Sequence, residues 1–280
     1  MKKIACILLA VLFVGFTFAG CNSTKTDGED TTVAKKQLRV GMECAYAPFN
    51  WTQSDDANGA VAIQGGGYAN GYDLQIAKKV AAGLDRELVI VKTEWDGLVP
   101  SLTSGTIDAI IAGMSPTDDR KLTIDFSDNY YTSDLVVVVR KDGAFKDAKV
   151  LDDFAGAKIT GQQSTFHYTV IEQIKDVKKQ TAMPDFATMI TALSSGTIDG
   201  YISERPGAIS AMASNPELSF ISFEAGKGFV ASDSDIAIAI GLKKGSALAE
   251  DINKTLASIS QNERQTIMDT ALANQPVSSD

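Results

Sequence analysis

Apolar and polar residues alternate over Gln37–Met42 (Q-L-R-V-G-M), with Leu38 and Val40 on one face, and this period of two predicts a first strand. A turn follows over residues 43–49. Between Thr52 and Gly71 the pattern dissolves into Gly, Asn, Asp and Gln around Gly65, Gly66 and Gly67, which predicts a hairpin or long surface loop. No Lys-Ser/Thr pair follows those glycines, so they do not form a phosphate-binding loop. From Gly71 the period changes. Leu74, Ile76, Ala77, Val80 and Ala81 fall on one helical face that runs out at Gly83. Residues 87–91 predict a second strand. Trp95-Asp96-Gly97 opens a helix over Leu98–Ser104, Gly105 caps it, and residues 107–112 predict a third strand. Strands that alternate with helices predict a parallel α/β layout.

The second half repeats the theme. Leu135–Arg140 (L-V-V-V-V-R) is β-branched enough for a buried strand, residues 141–151 read as charged loop, and Lys158–Thr160 as a short strand. A helix is expected from Phe166 to about Ile174, another over residues 187–195 with Gly196 as cap, a strand over 198–202 and a short helix over 206–214. Residues 235–242 alternate like a strand, and helices over 248–260 and 263–273 close the chain. Residues 98–115 read L-V-P-S-L-T-S-G-T-I-D-A-I-I-A-G-M-S, and residues 189–206 read M-I-T-A-L-S-S-G-T-I-D-G-Y-I-S-E-R-P. Each is a helix, a Ser-Gly cap, Thr-Ile-Asp and a strand with polar residues at its end. Self-similarity of this length predicts two lobes of like construction.

Lys2 and Lys3 precede an apolar run from Ile4 to Ala19, which reads as a secretory signal over residues 1–20 and is too short for a good membrane span. Phe18-Ala19-Gly20-Cys21 resembles a bacterial lipobox, so Cys21 is expected to carry a lipid. Residues 22–36 are polar and read as a tether. The full chain holds 26 basic and 35 acidic residues. Without residues 1–20, which carry two lysines and no acid, 24 basic groups face 35 acidic ones, a net charge of −11. That balance argues against nucleic acid. Cys6 leaves with the signal, and Cys44 then stands alone with no intrachain disulfide partner. The only histidine, His167, is remote from it in sequence, so a catalytic thiol is not expected. No metal-ligand spacing and no Gly-x-Ser-x-Gly turn is present, and no cofactor is expected.

The candidate chemistry lies in I-I-A-G-M-S-P-T-D-D-R, residues 110–120. A strand there delivers Ser115, Thr117 and Arg120 to its carboxyl end, where ligands bind in open α/β sheets. A guanidinium beside N–H donors suits a carboxylate. If the lobes face each other, residues 115–120 meet Ser203-Glu204-Arg205 across one cleft, a cation opposite a carboxylate that suits a zwitterion.

Gly41, Tyr46-Ala47-Pro48-Phe49, Gly71-Tyr72-Asp73-Leu74, Trp95-Asp96-Gly97-Leu98, Gly105-Thr106-Ile107-Asp108, Ala112-Gly113-Met114-Ser115-Pro116-Thr117, Arg120 and Asp125-Phe126-Ser127 occur in order. From Gln37 to about Ala273 the chain resembles the extracytoplasmic solute-binding proteins of polar amino-acid ABC importers. The resemblance implies a two-lobed α/β fold of the type II periplasmic-binding-protein kind. Its two mixed, mostly parallel sheets are joined by two hinge strands, with ligand in the cleft. Lobe 1 would hold residues 37–132 and 239–280, and lobe 2 residues 133–238. The implied partners are a free amino acid, an ABC permease and, through Cys21, a membrane, with the protein monomeric. By the same resemblance, Arg120 clamps the ligand carboxylate with the Ser164-Thr165 turn, where serine replaces the family's usual glycine. Gly113, Met114, Ser115 and Thr117 line the adjoining strand end, and the main chain of Gly113, with Ser115 and Glu204, holds the ammonium. Glu204 replaces the usual aspartate. Tyr46 and Trp95 flank the ligand side chain, and Glu43 stands where binders of basic amino acids often carry an acid. Arginine or lysine is therefore expected over a neutral ligand such as glutamine or cystine. A dehydratase on the same fold is the second class of function, and a membrane-receptor sensor domain the third.

Overall fold

The computed structural model describes residues 35–276, and the expected signal, Cys21 and most of the tether lie outside them. These described residues belong to one compact unit. The chain opens with β1 (Gln37–Met42), and β2 (Ala45–Tyr46), β3 (Asn50–Gln53), β4 (Val61–Ala62) and β5 (Tyr68–Asn70) follow. These last four build a small antiparallel sheet in the order β2-β3-β5-β4, where the sequence pattern suggested only a loop or hairpin. Its strands run two to four residues, too short to show a period.

Next come α1 (Tyr72–Gly83), β6 (Glu87–Lys92), α2 (Leu98–Ser104), β7 (Ala109–Ile110), α3 (Asp118–Lys121) and β8 (Asp125–Thr132). The chain then enters a second sheet through β9 (Leu135–Arg140), β10 (Lys158–Thr160), α4 (Phe166–Thr169), β11 (Lys178–Lys179), α5 (Phe186–Ser194), β12 (Gly200–Glu204), α6 (Arg205–Ser214) and β13 (Leu218–Ile221). It returns through α7 (Asp233–Ile236) to β14 (Ala237–Leu242) and ends with α8 (Ala249–Ser258) and α9 (Gln261–Asn274). The sequence alternation at 235–242 suggested an earlier strand start. Instead Ser232 caps a helical turn, its Oγ accepting from Asp235 N while the Asp235 carboxylate accepts from Ser232 N, so β14 begins at Ala237.

The first sheet runs β6-β1-β7-β14-β8 and the second β11-β10-β12-β9-β13. In each, the first three strands are parallel and the fourth opposes both neighbours, so four strands of five share one direction. The repeat is visible bond by bond. Thr106 N donates to Ser101 O and Thr197 N to Ala192 O, both at 2.9 Å. Asp108 N donates to Arg39 O and Asp199 N to Lys158 O, both at 2.8 Å, and the two carboxylates accept from Arg39 N and Lys158 N in return. Gly105 (φ 84°) and Gly196 (φ 75°) close the preceding helices in the left-handed region, where a side chain is disfavoured. The lobes meet through two adjacent crossings: Thr132 pairs with Ala237, and Ser133 N donates to Ile236 O at 3.1 Å.

Candidate functional site

β1 and β10 end facing each other across the cleft. Past β1, Glu43 is buried, and Gln162, past β10, donates its amide Nε2 to both Glu43 oxygens at 3.1 and 3.3 Å and to Pro184 O at 3.0 Å. Burial pushes the Glu43 carboxyl up to about 7, the Gln162 amide works against that rise, and the charges of Asp185, Glu94 and Asp96 add to it. This end of the cleft gathers acidic groups around a carboxyl whose ionised form a cation would favour.

Tyr46, on β2, reaches into the second lobe. Its ring stacks on Phe186 at 4.0 Å with 8° between planes, and its hydroxyl donates to Glu204 Oε2. Glu204 Oε1 lies 3.0 Å from His167 Nε2, and both side chains are buried. Burial works against the Glu204 charge, but His167 and Tyr46 more than offset it and hold the carboxyl below its usual range. Both oxygens of the expected ammonium ligand thus have partners within the protein. His167, remote in sequence from the residues singled out, is brought to the centre of the site by the first turn of α4.

Arg120 lies at the other side of the cleft. Its guanidinium donates to Ser115 O and, across the lobes, to Ser164 O, each at 2.9 Å, and stands 5.1 Å from the Trp95 ring centroid. Desolvation draws its pKa down to about 10, which leaves it charged at neutral pH. Ser164 adopts φ 56°, so the turn keeps a glycine-like backbone despite the serine. Thr165 donates its hydroxyl to Gln162 O at 2.7 Å and precedes α4, while Thr117 caps α3 by accepting from Arg120 N. Thr117, Arg120, Ser164 and Thr165 line a cavity of about 540 Å³.

A buried polar network supports this wall. Tyr130 donates to Asp73 Oδ1 and Asn50 to Asp73 Oδ2, both at 2.7 Å; Cys44 N donates to Asn50 Oδ1 at 2.7 Å and Gly113 N to Tyr130 Oη at 3.4 Å. The network fixes the turn after β1, which carries Glu43, to the end of the strand that carries Gly113. Burial pushes Asp73 up to about 6. Cys44 is part of the core, its thiol pushed up to about 12, and it offers no nucleophile.

The structure thus brings Glu43, Tyr46, Trp95, Ser115, Thr117, Arg120, Ser164, Thr165 and Glu204 to the two faces of the cleft. Met114 instead packs into the hydrophobic core around Trp95 and Leu98, and its carbonyl accepts from Ala239 N. Gly113 donates its N–H to Tyr130 Oη, a bond that does not involve the carbonyl an ammonium would use. The ring facing Tyr46 is Phe186 rather than Trp95, which serves as a platform for Arg120. Gln162, His167 and Phe186 were not singled out in the sequence. A signal for Phe186 existed: it stands three residues before Met189 as Trp95 stands three before Leu98, so the repeat extended upstream pairs them. Among the described residues no group of three His, Cys, Asp or Glu is arranged to hold a metal ion.

Comparison with known proteins agrees with this architecture. The chain is 32% identical over 235 residues to a probable histidine-binding protein of Campylobacter jejuni, covering 82% of this chain and 85% of that protein. It is 27% identical to the glutamine-binding protein GlnH of Bacillus subtilis, covering 94% of each. A Streptococcus pneumoniae amino-acid ABC transporter substrate-binding protein, bound to L-arginine, superposes with a TM-score of 0.76 at 27% identity, over 86% of this chain and 95% of that one. These are binding and transport proteins, which sets aside the dehydratase reading. Residues 38–272 match the model of the bacterial extracellular solute-binding proteins, family 3, and the chain belongs to that family.

Proposed function

We propose that this solute-binding protein captures a basic amino acid, arginine or lysine, outside the cytoplasm and delivers it to an ABC permease, acting as a monomer. The observation that carries this reading is Glu43: a buried carboxyl with Asp185, Glu94 and Asp96 around it, held near 7 until a cation relieves it. Arg120 takes the ligand carboxylate with the Ser164-Thr165 turn, and Ser115, the Gly113 main chain and Glu204 take the ammonium. Lobe 1 is residues 37–132 and 239–280, lobe 2 is residues 133–238, and closure seals the ligand from water. Cys21 anchors the protein to the membrane through a lipid. A glutamine ligand is the second reading, favoured by the Gln162 amide that already sits on Glu43, since a ligand amide could take its place.

A thermal-shift scan of protein lacking residues 1–21 against the twenty amino acids tests both. A shift with arginine or lysine alone supports the basic reading. A shift with glutamine or cystine keeps the binding role and discards the charge argument. No shift with any amino acid overturns amino-acid capture.

A further inference from the structure

We infer that Gly207, in the first turn of α6, is a socket that admits Tyr46 as the lobes close, so that a side chain at this position holds the cleft open. The inference rests on the binding reading above, in which closure over the ligand sets affinity.

Tyr46 crosses from the first lobe into the second and is buried there. One ring face lies on Phe186, and the hydroxyl reaches Glu204 at the end of β12. A Cβ on Gly207 would stand 3.0 Å from Tyr46 Cε2 and 3.1 Å from its Oη, closer than side-chain carbons ordinarily pack. The same Cβ would stand 2.8 Å from Ser203 Oγ, whose side chain is fully buried. On its own lobe the Tyr46 ring lies close to the Gly113 backbone and the Phe49 ring. Along the opposite ring edge, a Cβ on Gly113 would lie 3.2 Å from Cε1 and 3.3 Å from Cδ1, and the Phe49 ring is 5.0 Å away. The ring is bracketed by two glycine backbones, one from each lobe. A methyl at 207 therefore requires Ser203 Oγ to shift within the second lobe and the Tyr46 ring edge to give by a few tenths of an ångström, a displacement directed against the first lobe. Glycine also lowers helix propensity, so alanine suits α6 better and the interface worse.

This contrast gives the test. Gly207→Ala and Gly207→Val, each alone and in a Tyr46→Ala background, are made in protein lacking residues 1–21. For each, the dissociation constant of the amino acid that shifts the wild type most, the dissociation rate, the melting temperature and the radius of gyration by X-ray scattering are measured. The single Ala variant should bind about fivefold more weakly and the Val variant about fiftyfold, mainly through faster release, as overpacking an interface predicts. The Ala variant should melt no lower than wild type. In the Tyr46→Ala background neither change should matter beyond about twofold, because the knob is gone. Wild-type affinity in both single variants would overturn the inference. Equal loss with and without Tyr46 would overturn it too, by showing a defect internal to the second lobe. If the wild type binds no amino acid, the functional reading fails on its own, and scattering still decides the socket. A ligand-free Gly207→Val protein more extended than wild type supports it, and an unchanged radius of gyration rejects it.

Discussion

Gln162 and Glu43 hold corresponding places in the two lobes and bond to each other across the cleft. Arg39 and Lys158 are matched by their pairing with Asp108 and Asp199, and four residues beyond each stand Glu43 and Gln162. The Gln162 amide meets both Glu43 oxygens at 3.1 and 3.3 Å. One lobe thus supplies an acceptor and the other a neutral donor at the same point, and a ligand cation would compete with the amide for the carboxylate.

Replacing Glu43 by Gln should therefore discriminate among ligands. Arginine and lysine should lose about 2–5 kcal/mol of binding, the usual loss for one partner of a buried charge pair, while a neutral ligand should change little. Calorimetric titration with arginine, lysine and glutamine checks this, and equal weakening of all three would show that Glu43 does not read charge.

The same carboxyl makes basic-ligand affinity depend on pH. Glu43 is held up to about 7 in the ligand-free cleft, and a cation binds its ionised form. Below that pH binding must release a proton, so arginine affinity should rise as pH increases from about 5.5 to 7 and level off above, by up to about tenfold per pH unit at the lower end. Calorimetry in two buffers of different ionisation enthalpy counts the proton. A flat profile for arginine would contradict the coupling, and Glu43→Gln should flatten it.

Asp73 carries a stability signature instead. Its folded pKa is about 6, against about 3.9 when unfolded. The folded state binds the proton more tightly, so this group contributes its full stability below about pH 4, and that contribution is lost as pH rises through 6. The stability difference between wild type and Asp73→Asn should accordingly shrink by about 2–3 kcal/mol between pH 4 and pH 7. Urea unfolding at a series of pH values reads it, and a difference that grew with pH would refute the assignment.

Arg120→Ala removes the charge proposed for the ligand carboxylate and, with it, a bond across the lobes to Ser164 O. Affinity should fall by about 2–5 kcal/mol for every amino acid alike, since all share that carboxylate. Binding within tenfold of wild type would reassign the residue.

Ser164→Gly should stabilise the protein by about 0.5–1 kcal/mol. Serine at φ 56° carries a left-handed cost of about 1–2 kcal/mol, of which glycine's extra unfolded entropy takes back part. The turn's carbonyl stays on Arg120, so affinity should hold. Denaturant midpoints and a single titration suffice, and a loss of stability would mean that the serine side chain has a role of its own.

Local signals determined a definite part of this protein. The 3.6-residue period placed α1, the Gly105 and Gly196 caps ended their helices, and the paired Gly-Thr-Ile-Asp segments announced the repeat and with it two sheets of one design. Each of these depends on residues a few positions apart, or on the recurrence of such a group. The strand end carrying Ser115 and Arg120 was legible for the same reason. The small sheet after β1 and the helical turn before β14 were not, because strands of two to four residues carry no period and a Ser-capped turn overrode an alternating pattern. What only the tertiary structure decided is which side chains meet. Glu43 and Gln162 are 119 positions apart, and Tyr46 and Glu204 are 158 apart. His167 joins the site, Met114 leaves it for the core, and Gly207 gains a meaning no helix pattern could give it. Those pairings depend on the angle at which two separately built lobes face each other, a quantity that no local run of residues encodes.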